Sequence, residues 1–268
     1  WAIAGLLGGS RLMARWGHHR QSQDLLEEAR NYEQAVERSL EQIPDRKKRG
    51  GLPASPYRRL DAGAIGSLVA DYPLQLRAKN DPEIAATVEF MLANCFHAGG
   101  FFQDMIHSGI NAYLTLAIGQ TLLRNEDPRY RDLVTTVADL ASPTGQWPEA
   151  IHPITKGGCM GDGQHGWAAA EWVMMLRSLF VRVEAEGLIL GSGIFPEWLQ
   201  TGRKIGFGPT PTPFGPLSLT LLPGTEEVSL NLDFLPRADC RIEARVPGCQ
   251  PVEITDSKET ISLPRSRS

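Results

Sequence analysis

Apolar residues spaced by three and four positions dominate the first two-thirds of the chain. This spacing gives a helix one apolar side, and it predicts helices over residues 1–16, 22–43, 61–70, 82–95, 110–124, 128–142 and 165–185. Asp61 and Asp81 precede two of these stretches as N-cap residues, and Pro82 follows at the first turn. The helices come in pairs, so the sequence predicts helical hairpins whose longer polar loops lie at one end.

A different pattern begins after residue 205. Prolines and glycines interrupt the helical spacing over 206–216, and apolar and polar residues then alternate. The alternation predicts short strands over 217–222, 228–234, 241–246, 252–255 and 260–263. The predicted fold is therefore mainly α. It is an α/α toroid of hairpins over residues 1–204, truncated at its N-terminus, followed by a small antiparallel β-module with a polar tail over residues 205–268.

Composition narrows the function classes. The chain has 268 residues, of which 42% are hydrophobic and 22% charged, with a formal net charge of −4, as in an ordinary globular protein. No basic stripe recurs with aromatic residues, so we expect no nucleic-acid partner. The apolar start of the chain, residues 1–13, is too short to span a bilayer, so we expect no membrane partner. The four cysteines form no CxxC pair, which slightly favours a reducing compartment such as the cytoplasm. The compartment stays open.

Two polar loops that carry aromatic residues lie just before the helix predicted over 165–185. The first contains Trp147, Glu149 and His152, and the second contains Asp162, Gln164, His165 and Trp167. A carboxylate held against a ring can have its pKa tuned for acid–base chemistry, which makes Glu149 the candidate catalytic residue. An earlier loop, 101–111, offers Asp104, His107 and Asn111 as a second wall of the same site. The alternative is a structural loop whose tryptophans fill the core.

The order of these motifs resembles the C-terminal part of the glucoamylase-like six-hairpin glycosidases, which have an (α/α)6 toroid. The motifs are Trp147-Pro148-Glu149, the stretch 161–171, the loop 101–111 and the Pro-rich segment 208–215, and the resemblance covers roughly residues 1–250. It implies an inverting glycoside hydrolase that acts on an oligo- or polysaccharide without a cofactor or metal. Glu149 would be the general base that activates water.

The same resemblance implies roles for the other candidates. Trp147 and Trp167 would be platforms for sugar rings, and polar side chains would bind sugar hydroxyls: Asp104, His107, Asn111, His152, Asp162, Gln164 and His165. In this superfamily the general acid lies near the start of an earlier helix, and residues 1–6 resemble the continuation of such a helix. The acid is therefore expected upstream of Trp1, and a chain that starts with Trp instead of Met is expected to be a fragment or a processed product.

Two other functions stay open at this point. One is a non-catalytic carbohydrate-binding or structural protein that keeps the polar loops but lacks the acid. The other is a zinc enzyme that resembles the lanthionine cyclases, with Cys159, His165 and either His107 or His152 as ligands. More local alternatives also remain, because Asp162 can cap the following helix and the 101–111 side chains can order their own loop. The oligomeric state is not predicted.

Overall fold

The computed structural model describes residues 1–104, 108–161, 163–184, 187–236, 240–255 and 260–266, except for the side chain of Arg46. Within this part, helices and strands are mixed, with 41% of residues helical and 22% in strands that form three sheets. The predicted mainly α toroid is therefore wrong. Two segments that the sequence analysis assigned to loops and to the end of a helix are strands instead, so sheets make up a large part of the architecture.

The described residues contain seven α-helices, and most lie where apolar spacing predicted them. Two 3-10 helices, Ala62–Ala70 and Pro196–Trp198, also occur. The α-helices are α1 Ala2–Arg15, α2 His19–Glu41, α3 Asp45–Lys48, α4 Pro82–Asn94, α5 Ala112–Arg124, α6 Tyr130–Asp139 and α7 Gly166–Phe180.

The helix-start signals act as the sequence predicts. The carboxylate of Asp81 accepts hydrogen bonds from the backbone N–H groups of Glu83 and Ile84 at 2.9 and 3.1 Å. Asp61 likewise accepts from Gly63 N at 2.9 Å, although the helix that follows is 3-10 rather than α. Each cap satisfies backbone donors that the first helical turn leaves without a partner, so these starts depend on local chemistry alone.

The first sheet was not predicted. It contains five antiparallel strands in the order β1-β2-β3-β4-β5, drawn from the two segments that precede α5 and α7. Gly109 is required within it, because a Cβ atom there would lie 2.8 Å from Cys159 Sγ and 3.0 Å from Ala150 Cβ. The strands are β1 Phe96–His97, β2 Gly100–Gln103, β3 Gly109–Ile110, β4 Ala150–Ile151 and β5 Gly158–Met160.

The two remaining sheets have four strands each. One is antiparallel in the order β13-β10-β9-β8, and the other has the order β12-β11-β7-β6 with a parallel β7–β11 pair. Strands on either side of position 204 therefore share one sheet. Strands β9 to β13 lie close to their predicted positions. The bounds are β6 Val181–Glu184, β7 Gly187–Leu190, β8 Ile205–Thr210, β9 Leu217–Pro223, β10 Glu227–Phe234, β11 Arg241–Ala244, β12 Val252–Ile254 and β13 Thr260–Pro264.

Two apolar clusters form the interior. The first lies among the helices and the five-stranded sheet, with α5 buried around most of its circumference. The second begins at Val181 and is formed by the inward-facing residues of the two four-stranded sheets. Helix α7 links the two clusters: its buried residues Met175 and Leu179 belong to the first, and the strand that follows it belongs to the second. The loops before α5 and α7 therefore lead into helices that are packed in the core.

A polar cluster lies on the side of α5 and α7 that faces the end of the 3-10 helix. Gln120 Nε2 donates to the Tyr72 hydroxyl at 3.2 Å and to Glu171 Oε1 at 3.4 Å. Tyr72 and Glu171 are also hydrogen-bonded to each other. Glu171, which lies in a mostly apolar helix, is thus paired with two neutral polar side chains. Burial raises the pKa of Glu171, and its two hydrogen bonds oppose the shift.

This raised pKa makes stability depend on pH. The native state holds the Glu171 proton more tightly than the unfolded chain, whose carboxyl has the ordinary pKa of 4.5. The stabilising contribution is complete below pH 4.5 and is lost as pH rises through the higher native pKa. We therefore expect Glu171→Gln to gain stability relative to the native protein as pH rises above 4.5. Urea titrations at several pH values measure this difference. The exposed control Glu226→Gln should give no such trend, and an equal trend in both variants would contradict the assignment.

Candidate functional site

Glu149 lies immediately before β4, and a hydrogen bond from Asn111 holds its backbone. The Asn111 side chain is fully buried, and its Nδ2 donates to the carbonyl oxygen of Glu149 at 2.7 Å. Asn111 also links this point to β2, because its backbone N–H donates to Phe101 O at 3.0 Å. The predicted contact of Asn111 with a ligand stays a prediction, and in this structure its side chain is turned into the core. Asn111, which directly precedes α5, positions the backbone of Glu149 through this hydrogen bond.

The ring of Tyr113 contacts two other rings where α5 and α7 begin. Tyr113, in the first turn of α5, has its ring centroid 4.7 Å from that of Trp167 and 5.0 Å from that of His165. His165 is held in place as the N-cap of α7, because its Nδ1 accepts from Ala168 N at 3.3 Å and its backbone N–H donates to Trp147 O at 2.8 Å. Glu149, Tyr113, His165 and Trp167 together are called the Glu149 site below.

The charge of Glu149 acts on the Tyr113 phenol. Burial raises the pKa of the Tyr113 phenol, and the negative charge of Glu149 raises it further. The phenol therefore stays protonated at neutral pH and can donate a hydrogen bond. The segment before α7 also passes against Glu149: a Cβ atom at Gly161 would lie 3.4 Å from Glu149 N. Gly161 has φ +78°, a conformation that glycine adopts at little cost.

The two tryptophans predicted as platforms have opposite environments. Trp167 is 63% exposed, so the ring that contacts Tyr113 is also open to solvent. Trp147 is only 4% exposed, and its indole Nε1 donates to Val137 O at 2.8 Å. Its ring also contacts Trp172, with centroids 5.4 Å apart. The Trp147 ring therefore fills part of the helical core, and its platform role stays a prediction. Trp167 as a platform stays a prediction.

The other predicted contacts are spread along the loops. His152 is exposed and orders the turn between β4 and β5, because its Nδ1 accepts from the backbone N–H groups of Ile154 and Thr155, both at 3.2 Å. Gln164 is exposed immediately before the His165 cap. Both residues as ligand contacts stay predictions. His107 and Asp162, also predicted to bind the ligand, lie outside the described residues.

Asp104 lines a different hollow. This hollow has a volume of about 610 Å³ and is lined by Asp61, Cys95, Phe102 and Asp104 among others, and no residue of the Glu149 site lines it. Burial, together with the negative charges of Asp104 and Asp61, raises the pKa of the Cys95 thiol to about 11. Asp104 therefore faces Cys95, and the structure does not bring it into one wall with Glu149.

The residues of the zinc alternative have other partners. The side chain of Cys159 donates a weak hydrogen bond to Ser108 O at 3.5 Å, and the Nδ1 atoms of His152 and His165 accept backbone N–H groups. Across the residues that the structure describes, no group of three His, Cys, Asp or Glu side chains is arranged to hold a metal ion. In the same part of the chain, no helix has the length and apolar character needed to cross a membrane.

Tyr113 is the residue of the Glu149 site that the sequence analysis missed. A signal for it exists, since Tyr113 is the second residue of a helix that directly follows one of the polar loops. Comparison with known proteins adds no further residues: no protein-family model matches the sequence, and no significant match was found among curated proteins. The resemblance to six-hairpin glycosidases therefore stays a prediction from motif order.

Proposed function

We propose that the Glu149 site binds a carbohydrate and that the protein hydrolyses a glycosidic bond there, with Glu149 as the general base. One observation supports this most directly. A solvent-open indole, Trp167, contacts the ring of Tyr113, and the charge of Glu149 raises the pKa of the Tyr113 phenol. An exposed aromatic face suits the apolar face of a pyranose, and a neighbouring carboxylate and phenol suit its hydroxyl groups or an attacking water.

The proposed reaction is a single displacement with inversion at the anomeric carbon. Glu149 accepts a proton from a water molecule as that water attacks the anomeric carbon, and a second carboxyl group donates a proton to the leaving oxygen. The two carboxyl groups of such enzymes are roughly 6.5–9.5 Å apart, which leaves room for the water. Asn111 contributes indirectly, because its bond to the Glu149 carbonyl fixes the backbone that carries the base.

Sugar binding is tested with a matched pair of tryptophan variants. Trp167 and Trp16 are similarly exposed, at 63% and 61%, but Trp16 lies beyond the end of α1 and outside the Glu149 site. We expect Trp167→Ala to weaken binding by about 5- to 10-fold, because it removes an aromatic contact of about 1 kcal/mol, and Trp16→Ala to leave binding unchanged. Calorimetric titration with α- and β-linked gluco-, manno- and xylo-oligosaccharides measures this.

The outcomes separate the possible functions. Binding that depends on Trp167, together with hydrolysis of the same oligosaccharide, supports the proposal in full. Binding that depends on Trp167 without hydrolysis by the full-length protein would favour the non-catalytic carbohydrate-binding alternative. An equal loss in both tryptophan variants, or no binding to any oligosaccharide of the panel, would overturn the carbohydrate site.

A further inference from the structure

A second cavity lies along the other part of α7, away from the Glu149 site. Its volume is about 1000 Å³, and it opens between α5, α7 and the segment formed by β8 and the prolines that follow it. None of Glu149, Tyr113, His165 and Trp167 lines it. The residues that matter for its chemistry are Tyr72, Gln120, Met174, Arg177, Phe207 and Thr210. The cavity is therefore a separate candidate binding site on the same protein.

The charges of the lining have one sign. Arg124, Arg177 and Arg182 all line the cavity, and no Asp or Glu is among its described lining residues. Carboxylates that do not line the cavity neutralise two of the three arginines. Arg124 pairs with Asp71 and, at 3.2 Å, with Glu184, and Arg182 pairs with Glu184 at 2.9 Å.

Arg177 is the exception. Its three nitrogen atoms donate to neutral oxygens: Thr210 Oγ1 at 3.3 Å, Pro211 O at 2.9 Å and Val181 O at 3.5 Å. Among the described residues, no carboxylate lies within ion-pair distance of its guanidinium, although the side chain is half-buried and burial lowers its pKa. A partly desolvated cation without a counter-charge is unfavourable, so an anion that entered the cavity would be stabilised there.

The rest of the cavity is apolar. Val173 and Met174 on α7 are 62% and 40% exposed, and both line the cavity. Phe207 forms the opposite side, where its ring stacks on Phe180 with centroids 4.7 Å apart. A ligand that fills this space thus needs an apolar body in addition to its charged group.

We propose that this cavity binds a small organic anion whose carboxylate or phosphate group contacts Arg177 and whose apolar body lies between Met174 and Phe207. The Tyr72 hydroxyl and the Gln120 amide line the same space, but both already donate to Glu171, so the charged group of the ligand is assigned to Arg177 alone. This site does not depend on the proposed sugar chemistry, because the two sites share no lining residue. Failure of one proposal therefore leaves the other intact.

Simple amphiphiles test the proposal directly. The probes are octanoate, octyl phosphate and, as the neutral control, octan-1-ol, each titrated into the full chain by calorimetry and by ¹H–¹⁵N NMR. At least one anion should bind with 1:1 stoichiometry, about 10- to 100-fold more tightly than the alcohol, since hydrogen bonds to charged groups are the strong ones. The two anions also show which head group fits. If octan-1-ol bound as tightly as both anions, the assignment to Arg177 would be overturned.

Two variants locate the contact. Arg177→Gln should weaken anion binding by about 10- to 100-fold and leave the weak binding of octan-1-ol nearly unchanged. Arg20→Gln removes the same charge from an exposed position on α2 and should have no effect. Met174→Trp provides a second test if Arg177→Gln fails to fold, because the larger side chain at this partly exposed position should reduce the affinity for every probe. Anion binding that survived Met174→Trp, or Arg177→Gln in a folded variant, would contradict the proposal.

Discussion

Replacing Asp71 with alanine is expected to lower the free energy of unfolding by about 3–5 kcal/mol. Asp71 is fully buried at the end of the 3-10 helix Ala62–Ala70, and its carboxylate contacts the Arg124 guanidinium. The variant leaves Arg124, itself only 8% exposed, buried with Glu184 as its remaining carboxylate partner, and Arg182 already pairs with that residue. Most of the loss comes from leaving a buried guanidinium without its closest counter-charge.

Urea denaturation followed by circular dichroism measures this loss as a shift of the midpoint. The matched control is Glu89→Ala, which removes a carboxylate from the Arg129–Glu89 pair at the surface, where the Glu89 side chain is 58% exposed. We expect at most about 1 kcal/mol there, because water and salt screen exposed pairs. Equal losses in the two variants would show that burial of the Asp71–Arg124 pair does not increase its contribution to the free energy of unfolding.

Replacing Glu149 with glutamine is expected to reduce turnover of a bound oligosaccharide by about 10²–10⁴-fold, the usual contribution of a general base. Glutamine keeps the size and shape of the side chain but cannot accept a proton at neutral pH. The hydrogen bond from Asn111 Nδ2 goes to the carbonyl oxygen of residue 149 and not to its side chain, so the loop should keep its position. We therefore expect the affinity for oligosaccharide and the free energy of unfolding to change little.

Hydrolysis rates, together with calorimetric binding, separate the catalytic loss from a binding loss. Glu226→Gln makes the same substitution at an exposed position in the β9–β10 turn and should retain full activity. The configuration of the first sugar released, read by NMR at the anomeric proton, gives an independent check, because inversion is expected of a general-base mechanism. Full activity of Glu149→Gln would remove Glu149 from the mechanism.

The candidate site could be predicted only in part. The two aromatic loops indicated Glu149, His165 and Trp167, and the structure brings these three together with Tyr113. Asn111 and Trp147 also came from the same motifs, but both are buried. Motif spacing identifies which loop carries polar and aromatic groups. It does not say which of them point into the core, because that choice depends on residues such as Val137 that are distant in space until the chain folds.

The sequence alone determined what depends on neighbouring residues. The helix starts at Asp61 and Asp81 follow from caps formed within three positions. Strands β9 and β10 follow from a long alternation of apolar and polar residues. Proline and glycine, read as breakers, concealed strand β8, which tolerates them because it lies at the edge of its sheet.

Only the tertiary structure decided what depends on partners far along the chain. The strands of the first sheet are two to four residues long, too short to show a period, and exist because their backbones pair with one another. Helix α7 ends at Phe180 because Val181–Glu184 pairs with Gly187–Leu190 and enters the second core. Trp147 and Trp167 are chemically identical, and packing alone buries one and exposes the other. Pairing and burial are properties of the whole fold, whereas capping and periodicity are properties of a short segment.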